Sequence, residues 1–589
     1  MKFNKNIIIK SFGAAAIVMT GLGAVSCGDM LDLKPQGVLF ADQIGEDQAI
    51  ELMTAAYACL VNNLDPGNND QSFNGPINNW VIDLRSDDAL KGGPDAGNQG
   101  HMLQLEIGNI QSDNGSINQK WANDYFSVAR CNTAIQTLLS SDGIAPEVRN
   151  AYVAEMKVLR AYFYFDILRL FKKFPYIDET MDASTVPAGN KTRQEVAELI
   201  KEDLRNGYEL LPATQELVGR FNKYVAAALL ARVDLFTATP EFTTNPQAAW
   251  AEAEKYCDYV ITSGQYDLYD HFQDISNPQM NNGVESVMAI QFSSANEGQM
   301  YDFNNCLNCT VSVGNVYGNG DDFYLGSQDL ANAFRTNENG LPYLDGYTGN
   351  DIVNRVDEEG LNDPNVYKGN VDPRLDLTMG RIGVYWRSNL GVPAQTYMYT
   401  QGWCRNYDLF GQFSGKKPYP APYDPAVTIG IVPWGASTLN FMIIRYADVL
   451  LMKAEAMIEQ NNPDYQTAIS YINQVRRRAQ MSFDMNYEGP TDLNPNVVNY
   501  KVEEYPLTGW NQENARQAVR YERRLEFALE GLRWFDLLRW GVAQEVMTKY
   551  YQYESQFQEY YNSASLNPND YYFPIPLNQV DTSNGLYSN

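Results

Sequence analysis

The chain has 589 residues, of which 44% are hydrophobic and 20% are charged. These values are ordinary for globular proteins, so they exclude wholesale disorder and a polytopic membrane protein. The 72 acidic residues outnumber the 44 basic residues and give a net charge of −28. Because nucleic-acid affinity comes mainly from lysine and arginine displacing counterions, this balance excludes nucleic acid as a partner.

The numbers of histidine and tyrosine residues limit the possible functions further. Only His101 and His271 are present, so a mechanism that needs several imidazoles is excluded. Tyrosine, with 39 residues, outnumbers phenylalanine with 25 and tryptophan with 9. Tyrosine combines an apolar ring with a hydroxyl that stays hydrated or bonded. This excess favours a surface that grips amphipathic ligands, although a large core between helices also accounts for many of the rings.

The N-terminal residues have the pattern of an export signal. Lys2, Lys5 and Lys10 form a basic region, and the stretch that follows, 11–26, is small, apolar and uncharged. This stretch is too short to cross a bilayer comfortably. Residues 1–26 are therefore predicted to be a signal peptide.

Cys27 is the predicted site of lipid attachment. It follows small residues at the end of the apolar stretch, which resembles a bacterial lipobox, although Ala24 stands where leucine is usual. Several acyl chains on one cysteine anchor a protein firmly, since each buried methylene contributes about 0.8 kcal/mol. We expect a soluble body tethered to a membrane, with an ordinary secreted protein as the alternative.

The remaining cysteines predict neither a disulfide scaffold nor a metal centre. They are Cys59, Cys131, Cys257, Cys306, Cys309 and Cys404. Cys306 and Cys309 form one tight pair, but their surroundings offer neither a second cysteine pair nor the histidines that a zinc site needs. Buried thiols or a local disulfide are favoured there. The oxygen-rich residues 319–322 lack the spacing of an EF-hand loop, so no metal site is predicted.

Helical periodicity is strong in several stretches. Residues 151–171 contain no glycine or proline and are apolar over most of the circumference, which predicts a buried helix. Residues 223–236 and 248–263 follow as two helices with apolar positions on one face, and the arrangement recurs at 445–460 and 467–479. Alanine opposite large side chains is typical of tetratricopeptide-type hairpins. A helical repeat scaffold within a larger fold is therefore predicted.

Residues 514–540 combine carboxylates and arginines on a predicted helix that Gly531 bends or breaks. Glu522, Glu526 and Glu530 lie four residues apart on one face, which invites a catalytic interpretation. The nearby cations are Arg520, Arg523, Arg524, Arg533 and Arg539. Arginine neighbours lower the pKa of a carboxyl group, whereas a general acid needs it raised. We therefore interpret this stretch as a structural ion-pair network.

Residues 281–440 lack helical periodicity and are rich in glycine, proline, asparagine and tyrosine. Short apolar pieces at 287–292 and 396–399 predict strands. Irregular regions of this length in a helical protein are usually functional or disordered, and the aromatic content favours order. A smaller island of this kind lies at 80–98, where an apolar piece turns polar and glycine-rich.

A set of motifs occurs along nearly the whole mature chain in the order typical of one family. They are Cys27-Gly28-Asp29 with Leu31-Asp32; Leu84-Arg85-Ser86-Asp87-Asp88-Ala89; Leu159-Arg160-Ala161-Tyr162-Phe163-Tyr164-Phe165 leading to Pro175; Asp372-Pro373-Arg374-Leu375; Arg445-Tyr446-Ala447-Asp448-Val449-Leu450-Leu451 with Ala454-Glu455-Ala456; Glu522-Arg523-Arg524 to Trp540; and Phe573-Pro574-Ile575-Pro576. Each motif alone is weak, but together they are specific. On these residues the chain resembles the SusD/RagB family of outer-membrane lipoproteins of Bacteroidetes.

The resemblance implies a mostly α-helical, SusD-like fold, in which four tetratricopeptide-like hairpins pack against a loop-rich, partly β ligand-binding side. Residues 27–589 would form this domain. The helical scaffold would lie mainly at 115–275 and 440–545, and the loop-rich portions around 65–112 and 281–440.

The resemblance also implies a lipid-anchored, surface-exposed protein of the cell outer membrane that captures oligosaccharides for a SusC-like TonB-dependent transporter. Such proteins have no catalytic activity, and no cofactor is expected. Two alternatives stay open: uptake of peptides, as in some family members, and glycoside hydrolysis, which needs a carboxylate pair with one raised pKa. A pure tetratricopeptide adaptor would not need the long aromatic middle region.

Ligand-binding residues vary between members of this family, so the resemblance transfers positions and not identities. The loop after Ser86-Asp87-Asp88 and the irregular middle usually line the site. The candidates are Trp80, Lys91, Asp95, Asn98, Tyr317, Phe323, Tyr324, Trp386 and Trp403. For each aromatic the alternative is loop packing, and for Asp87 and Asp88 it is turn or helix capping. Aromatic stacking under a sugar ring and polar groups at its hydroxyl rim would give weak, micromolar to millimolar binding.

Overall fold

The computed structural model describes residues 44–61, 80–292, 321–344, 346, 349–352, 367–384, 399–417, 427–428, 436–482 and 499–589. This part of the chain is mostly helical, as expected. Its α-helices are α1 (Glu46–Tyr57), α2 (Trp80–Asp83), α3 (Gly100–Glu106), α4 (Gly115–Leu139), α5 (Pro146–Leu170), α6 (Arg193–Leu210), α7 (Lys223–Thr237), α8 (Pro246–Ile261), α9 (Gln328–Ala333), α10 (Arg374–Thr378), α11 (Tyr407–Phe410), α12 (Tyr446–Glu459), α13 (Tyr465–Met481), α14 (Gln512–Phe527), α15 (Arg533–Arg539), α16 (Ala543–Glu554) and α17 (Leu577–Thr582).

The long helices form one scaffold. Helices α4 to α8 pack in chain order, each against the next, and α8 then packs against α12, which contacts both α13 and α14. The predicted hairpins are confirmed as α7 with α8 and as α12 with α13. Small residues permit this close packing: a Cβ on Gly207 of α6 would lie only 2.1 Å from the Val158 side chain of α5. Within the described ranges, no helix is both long and apolar enough to cross a bilayer.

Short strands join segments that are distant in the chain. They are β1 (Ala89–Gly92), β2 (Ser286–Ile290), β3 (Phe323–Gly326), β4 (Val427–Thr428), β5 (Ala436–Ser437) and β6 (Phe441–Arg445). Each pairs with one antiparallel partner: β1 with β3, β2 with β6, and β4 with β5. The strand predicted at 287–292 is confirmed as β2, whereas most of the one predicted at 396–399 lies outside the described residues.

The helix predicted over 514–540 is interrupted, as expected. Helix α14 ends at Phe527 and α15 begins at Arg533. Between them, Leu529 and Gly531 adopt positive φ values of 59° and 79°, a conformation that costs glycine little. The Gly531 N–H donates to Oδ2 of Asp83 at 2.9 Å, so the break is also tied to the N-terminal third of the chain.

A network of buried ion pairs joins the scaffold to the middle of the chain. Its members are Glu285, Asp372, Arg374, Lys417, Arg445, Arg476, Arg478, Glu522, Glu526 and Glu530. Arg374 lies 3.0 Å from Glu526 and 2.7 Å from Glu522. Burial alone would raise the pKa of Glu526, but Arg478, Arg445 and Arg374 outweigh it and hold that pKa well below its usual value. The structural interpretation of these glutamates is confirmed.

The arginines predicted to pair with these glutamates point elsewhere, so that part of the prediction was wrong. Arg523 contacts Asp448 at 2.7 Å and Asp536 at 3.0 Å, and Arg533 contacts Asp87 at 2.7 Å. Successive residues of a helix are rotated by about 100°, so neighbours in sequence face different partners. The cations that reach Glu522 and Glu526 come from α10, α13 and the end of β6.

Arg374→Ala is expected to lower the free energy of unfolding of the mature chain by about 3–5 kcal/mol, because the buried carboxylates of Asp372, Glu522 and Glu526 each lose a cation. The matched control is Arg477→Ala. Arg477 is 50% exposed and pairs with Glu504 at the surface, so its loss is expected to cost less than about 1 kcal/mol. Urea unfolding followed by circular dichroism measures both. Equal losses would contradict the central role of the network.

Candidate functional site

A two-stranded sheet brings two distant segments together on the loop-rich side. Strand β1 pairs with β3 so that Gly92 lies opposite Phe323, and the Gly93 N–H donates to the Asp322 carbonyl oxygen at 2.9 Å. Gly92 and Gly93 have positive φ values of 73° and 85°. A Cβ on Gly92 would lie 2.3 Å from that carbonyl oxygen, and one on Gly93 would lie 2.3 Å from the Phe323 ring. This turn therefore requires both glycines.

A third segment, residues 399–411, lies beside the sheet formed by β1 and β3. The Asn406 amide donates to the Pro94 carbonyl oxygen at 2.8 Å, and the Arg405 N–H donates to Oδ2 of Asp322 at 2.9 Å. We call residues 91–99, 321–324 and 399–411 together the loop-91 face. Three stretches that are far apart in the chain thus converge at one place.

Lys91 stabilises the conformation of residues 92–98 through hydrogen bonds to their backbone. Its side chain is fully buried, and Nζ donates to the carbonyl oxygens of Gly92 at 2.9 Å, Asp95 at 2.9 Å and Asn98 at 2.7 Å. The rings near the ammonium are Phe323 at 5.3 Å and Phe410 at 5.0 Å from Nζ to centroid. Burial lowers the pKa of Lys91 to about 8. Lys91 was a candidate for ligand contact, and the structure places it as a positioning residue below the surface.

Asp95 and Asn98 lie on the outside of the same loop. Both are exposed. Oδ1 of Asp95 accepts from the N–H groups of Gly97 and Asn98, each at 2.8 Å, which forms an Asx-type turn. The other carboxylate oxygen of Asp95 and the Asn98 amide make no hydrogen bond within the described part of the chain. These two predicted residues are therefore exposed in the described part of the chain, and their contact with a ligand stays a prediction.

Three predicted aromatic residues are buried. Phe323 and Tyr324 are each 1% exposed, and Trp403 is 2% exposed. The Tyr324 hydroxyl donates to the Asp83 carboxylate, and the Trp403 ring lies 5.6 Å from the Tyr399 ring. Phe323 and Tyr324 lie on β3, in which every residue is buried, and Trp403 packs against Tyr399. This geometry corresponds to the loop-packing alternative and leaves no ring surface for a sugar in this structure.

The other candidates lie at the limits of the described chain. Trp80 is the first residue of α2, and its side chain lies outside the described part. Tyr317 and Trp386 lie outside the described residues, as do the predicted lipid site Cys27 and the pair Cys306 and Cys309. Their assignments stay predictions.

Sequence reasoning missed Arg405 and Asp408 on the loop-91 face. Arg405 lies 3.8 Å from Asp321, and both side chains are partly exposed. Asp408 is exposed on α11, which Asn406 caps by accepting from the Leu409 N–H at 3.1 Å. The polar run that follows Trp403 was a signal that could have identified this segment.

Two buried carboxyl groups, Asp322 within the loop-91 face and Asp83 beside it, lie away from the surface. Asp322 accepts from the Ser414 hydroxyl at 2.5 Å, and burial raises its pKa to about 7. Burial likewise raises the pKa of Asp83 to about 8. A raised pKa is what a glycosidase acid needs, but both groups are at most 1% exposed. They cannot reach a glycosidic bond held at the surface.

A separate cavity of about 260 Å³ lies beside α1. Its lining is mostly aliphatic and includes Ile50, Met53, Leu217 and Val218, with no residue of the loop-91 face. Apolar walls suit an apolar group better than a polyhydroxylated one. No group of three or more histidine, cysteine, aspartate or glutamate residues in the described part could hold a metal ion.

Two family models match the chain. A model described as SusD family matches residues 284–589, and one described as Starch-binding associating with outer membrane matches residues 94–235. The first match covers just over half of the chain. It includes the scaffold helices α12 to α14, and the second match includes α4 to α6.

Known relatives and solved structures are similar over nearly the whole length. SusD-like protein P2 of Formosa agariphila is 26% identical over 598 residues, which is 99% of each chain. Surface glycan-binding protein A from Bacteroides thetaiotaomicron, solved in complex with laminarihexaose, is 20% identical with a TM-score of 0.66 and covers 92% of this chain and 99% of that chain. Surface glycan-binding protein A from Bacteroides fluxus is 21% identical with a TM-score of 0.63 and covers 91% and 96%. At these identities the structural likeness shows a shared fold.

Lys91→Met is expected to speed amide hydrogen exchange in residues 93–99 by about tenfold or more, because the loop carbonyls lose their common donor. Hydrogen-exchange mass spectrometry measures the effect. Lys255→Met is the control, since Lys255 is 43% exposed and pairs with Glu252 on its own helix. Unchanged protection of 93–99 in Lys91→Met would contradict the positioning role.

The buried carboxyl groups of Asp83 and Asp322 predict a pH dependence of stability. Between about pH 4 and pH 7 the folded chain holds a proton on Asp322 that the unfolded chain releases, so this group stabilises the fold as the pH falls. Asp322→Asn is expected to reduce the gain in urea midpoint between about pH 7.5 and pH 5. The exposed control Asp270→Asn is expected to keep the gain. Identical pH profiles for wild type and Asp322→Asn would refute the assignment.

Proposed function

Because the chain belongs to the SusD family and shares its fold, we propose that it is a cell-surface glycan-binding lipoprotein of the outer membrane. It captures oligosaccharides and passes them to a SusC-like TonB-dependent transporter. The family match is the observation that carries this proposal. A relative with the same fold was solved with laminarihexaose, which supports an oligosaccharide as the class of ligand.

The loop-91 face is the proposed site of capture. Asp95 offers a carboxylate oxygen, Asn98 offers an amide, and Arg405 offers a partly exposed guanidinium. Sugar hydroxyls both donate and accept hydrogen bonds, so this mixture suits a hydroxyl rim. Trp80, Tyr317 and Trp386 stay the proposed stacking residues.

The protein acts by binding and not by catalysis. The carboxyl groups Asp83 and Asp322, whose pKa values are raised, are buried, and Glu526 is surrounded by arginines. None of these groups can serve a surface-bound glycan as a general acid. Weak and reversible binding suits a protein that must release its cargo to a transporter.

The double variant Asp95→Ala with Asn98→Ala is expected to weaken glycan binding at least about tenfold, a loss of about 1.4 kcal/mol. A glycan array identifies the ligand, and isothermal titration measures the affinity. The control pairs Asp270→Ala with Asn462→Ala, two exposed residues outside the loop-91 face, and is expected to bind normally. Equal affinities would refute this placement of the site.

Two other results would bear on the function itself. Release of reducing ends from a glycan would refute the binding function, and retention of peptides alone would favour the peptide-binding alternative.

Cys27→Ser is expected to abolish lipid attachment and release the protein from the outer membrane, because Cys27 is the proposed acylation site. Metabolic labelling with a palmitate analogue and membrane fractionation measure both effects. Cys404→Ser, which changes a cysteine of the folded body, is expected to stay labelled.

Wild-type protein recovered from solubilised membranes is expected to carry the transporter with it. Recovery of the wild-type protein without a transporter would contradict the proposed partnership. Lipid labelling of Cys27→Ser would contradict the assignment of Cys27 as the acylation site.

A further inference from the structure

The charged groups on the loop-91 face indicate which class of glycan it takes. We propose that the face binds neutral oligosaccharides and rejects polyanionic ones, such as sulfated or uronate-rich chains. This inference rests on the proposed function, since it specifies the ligand of the same site.

The lysine of the face has no donor left for an anion. A lysine ammonium carries three N–H donors. Those of Lys91 have three acceptors at 2.7–2.9 Å, the carbonyl oxygens of Gly92, Asp95 and Asn98. The side chain is also fully buried. Its charge therefore stabilises the loop and does not meet a sulfate or carboxylate at the surface.

The backbone of the loop does not form an anion-binding nest either. Successive free N–H groups can cradle an anion. Here the N–H groups of Gly97 and Asn98 both donate to Oδ1 of Asp95 at 2.8 Å, and Pro94 has no N–H. The Asp95 carboxylate thus already accepts from the two N–H groups that an anion would need.

The remaining charges on the face are mostly negative. Arg405, the cation at the surface among the described residues of the face, lies 3.8 Å from the carboxylate of Asp321. Asp95 and Asp408 are exposed as well. The described surface of the face therefore carries three carboxylates, Asp95, Asp321 and Asp408, and one guanidinium, which already has Asp321 as a partner.

This arrangement complements hydroxyl groups and not sulfates. A carboxylate only accepts hydrogen bonds, and a hydroxyl can donate to it, whereas an ionised sulfate or carboxylate of a sugar has no proton to donate. An anionic chain also meets repulsion from Asp95 and Asp408 at short range, and from the net charge of −28 at longer range. Neutral oligosaccharides avoid both the short-range and the long-range repulsion.

The test uses hexasaccharides of the same backbone in neutral and sulfated form, titrated against the mature chain. At about 50 mM salt the sulfated form is expected to bind at least about tenfold more weakly, and at about 500 mM salt the difference is expected to shrink because the charges are screened. Asp408→Asn is expected to narrow the difference at low salt. Asp270→Asn removes an equal charge outside the face and is expected to leave the difference unchanged.

The possible results of this test distinguish the inferred selectivity for neutral glycans from the proposed glycan-binding function. Binding of the sulfated form as tightly as the neutral form overturns the inference and leaves the glycan-binding function standing. Equal effects of Asp408→Asn and Asp270→Asn overturn the assignment of selectivity to the loop-91 face. Failure of every neutral and anionic glycan on the array overturns the proposed function itself.

Discussion

Glu526 lies buried among Arg374, Arg445 and Arg478, and this cluster ties the helical scaffold to the loop-rich middle of the chain. Each of these charges loses its hydration on folding, so the arrangement is stable only when every partner is present. A movement that separated one pair would leave two buried charges with fewer partners. The cluster therefore restricts how the scaffold and the middle region can lie relative to each other.

The same helix that carries Glu526 also supports the candidate site. Arg524 of α14 contacts Asp88 at 2.7 Å, directly before β1, and Asp329 at 2.7 Å, shortly after β3. One guanidinium thus links the residue before β1 to the helix that follows β3. Lys91 then fixes the loop that follows β1. A loop held in this way loses little freedom when it binds a ligand, so less of the interaction energy is spent on ordering.

Helix periodicity was sufficient to locate α5, α7, α8, α12, α13 and α14, because an apolar face repeats along the chain whatever it packs against. It did not single out α4 and α6. Periodicity also placed Glu522 and Glu526 on one face of α14. It could not supply their partners, since Arg445 and Arg374 lie 81 and 152 residues away from Glu526 in sequence. The arginines adjacent in sequence were the obvious choice, and helix geometry turned them toward other carboxylates.

By itself the sequence determined the acidic charge, the helical scaffold and the resemblance to the SusD/RagB family, all of which depend on residue type and order along the chain. Only the tertiary structure decided that Lys91 lies inside the loop while Asp95 and Asn98 lie outside, and that Arg405 joins them. The reason is physical. Residue type states which interactions a side chain can make, but the distant segments that pack over it decide whether water or a ligand can reach it.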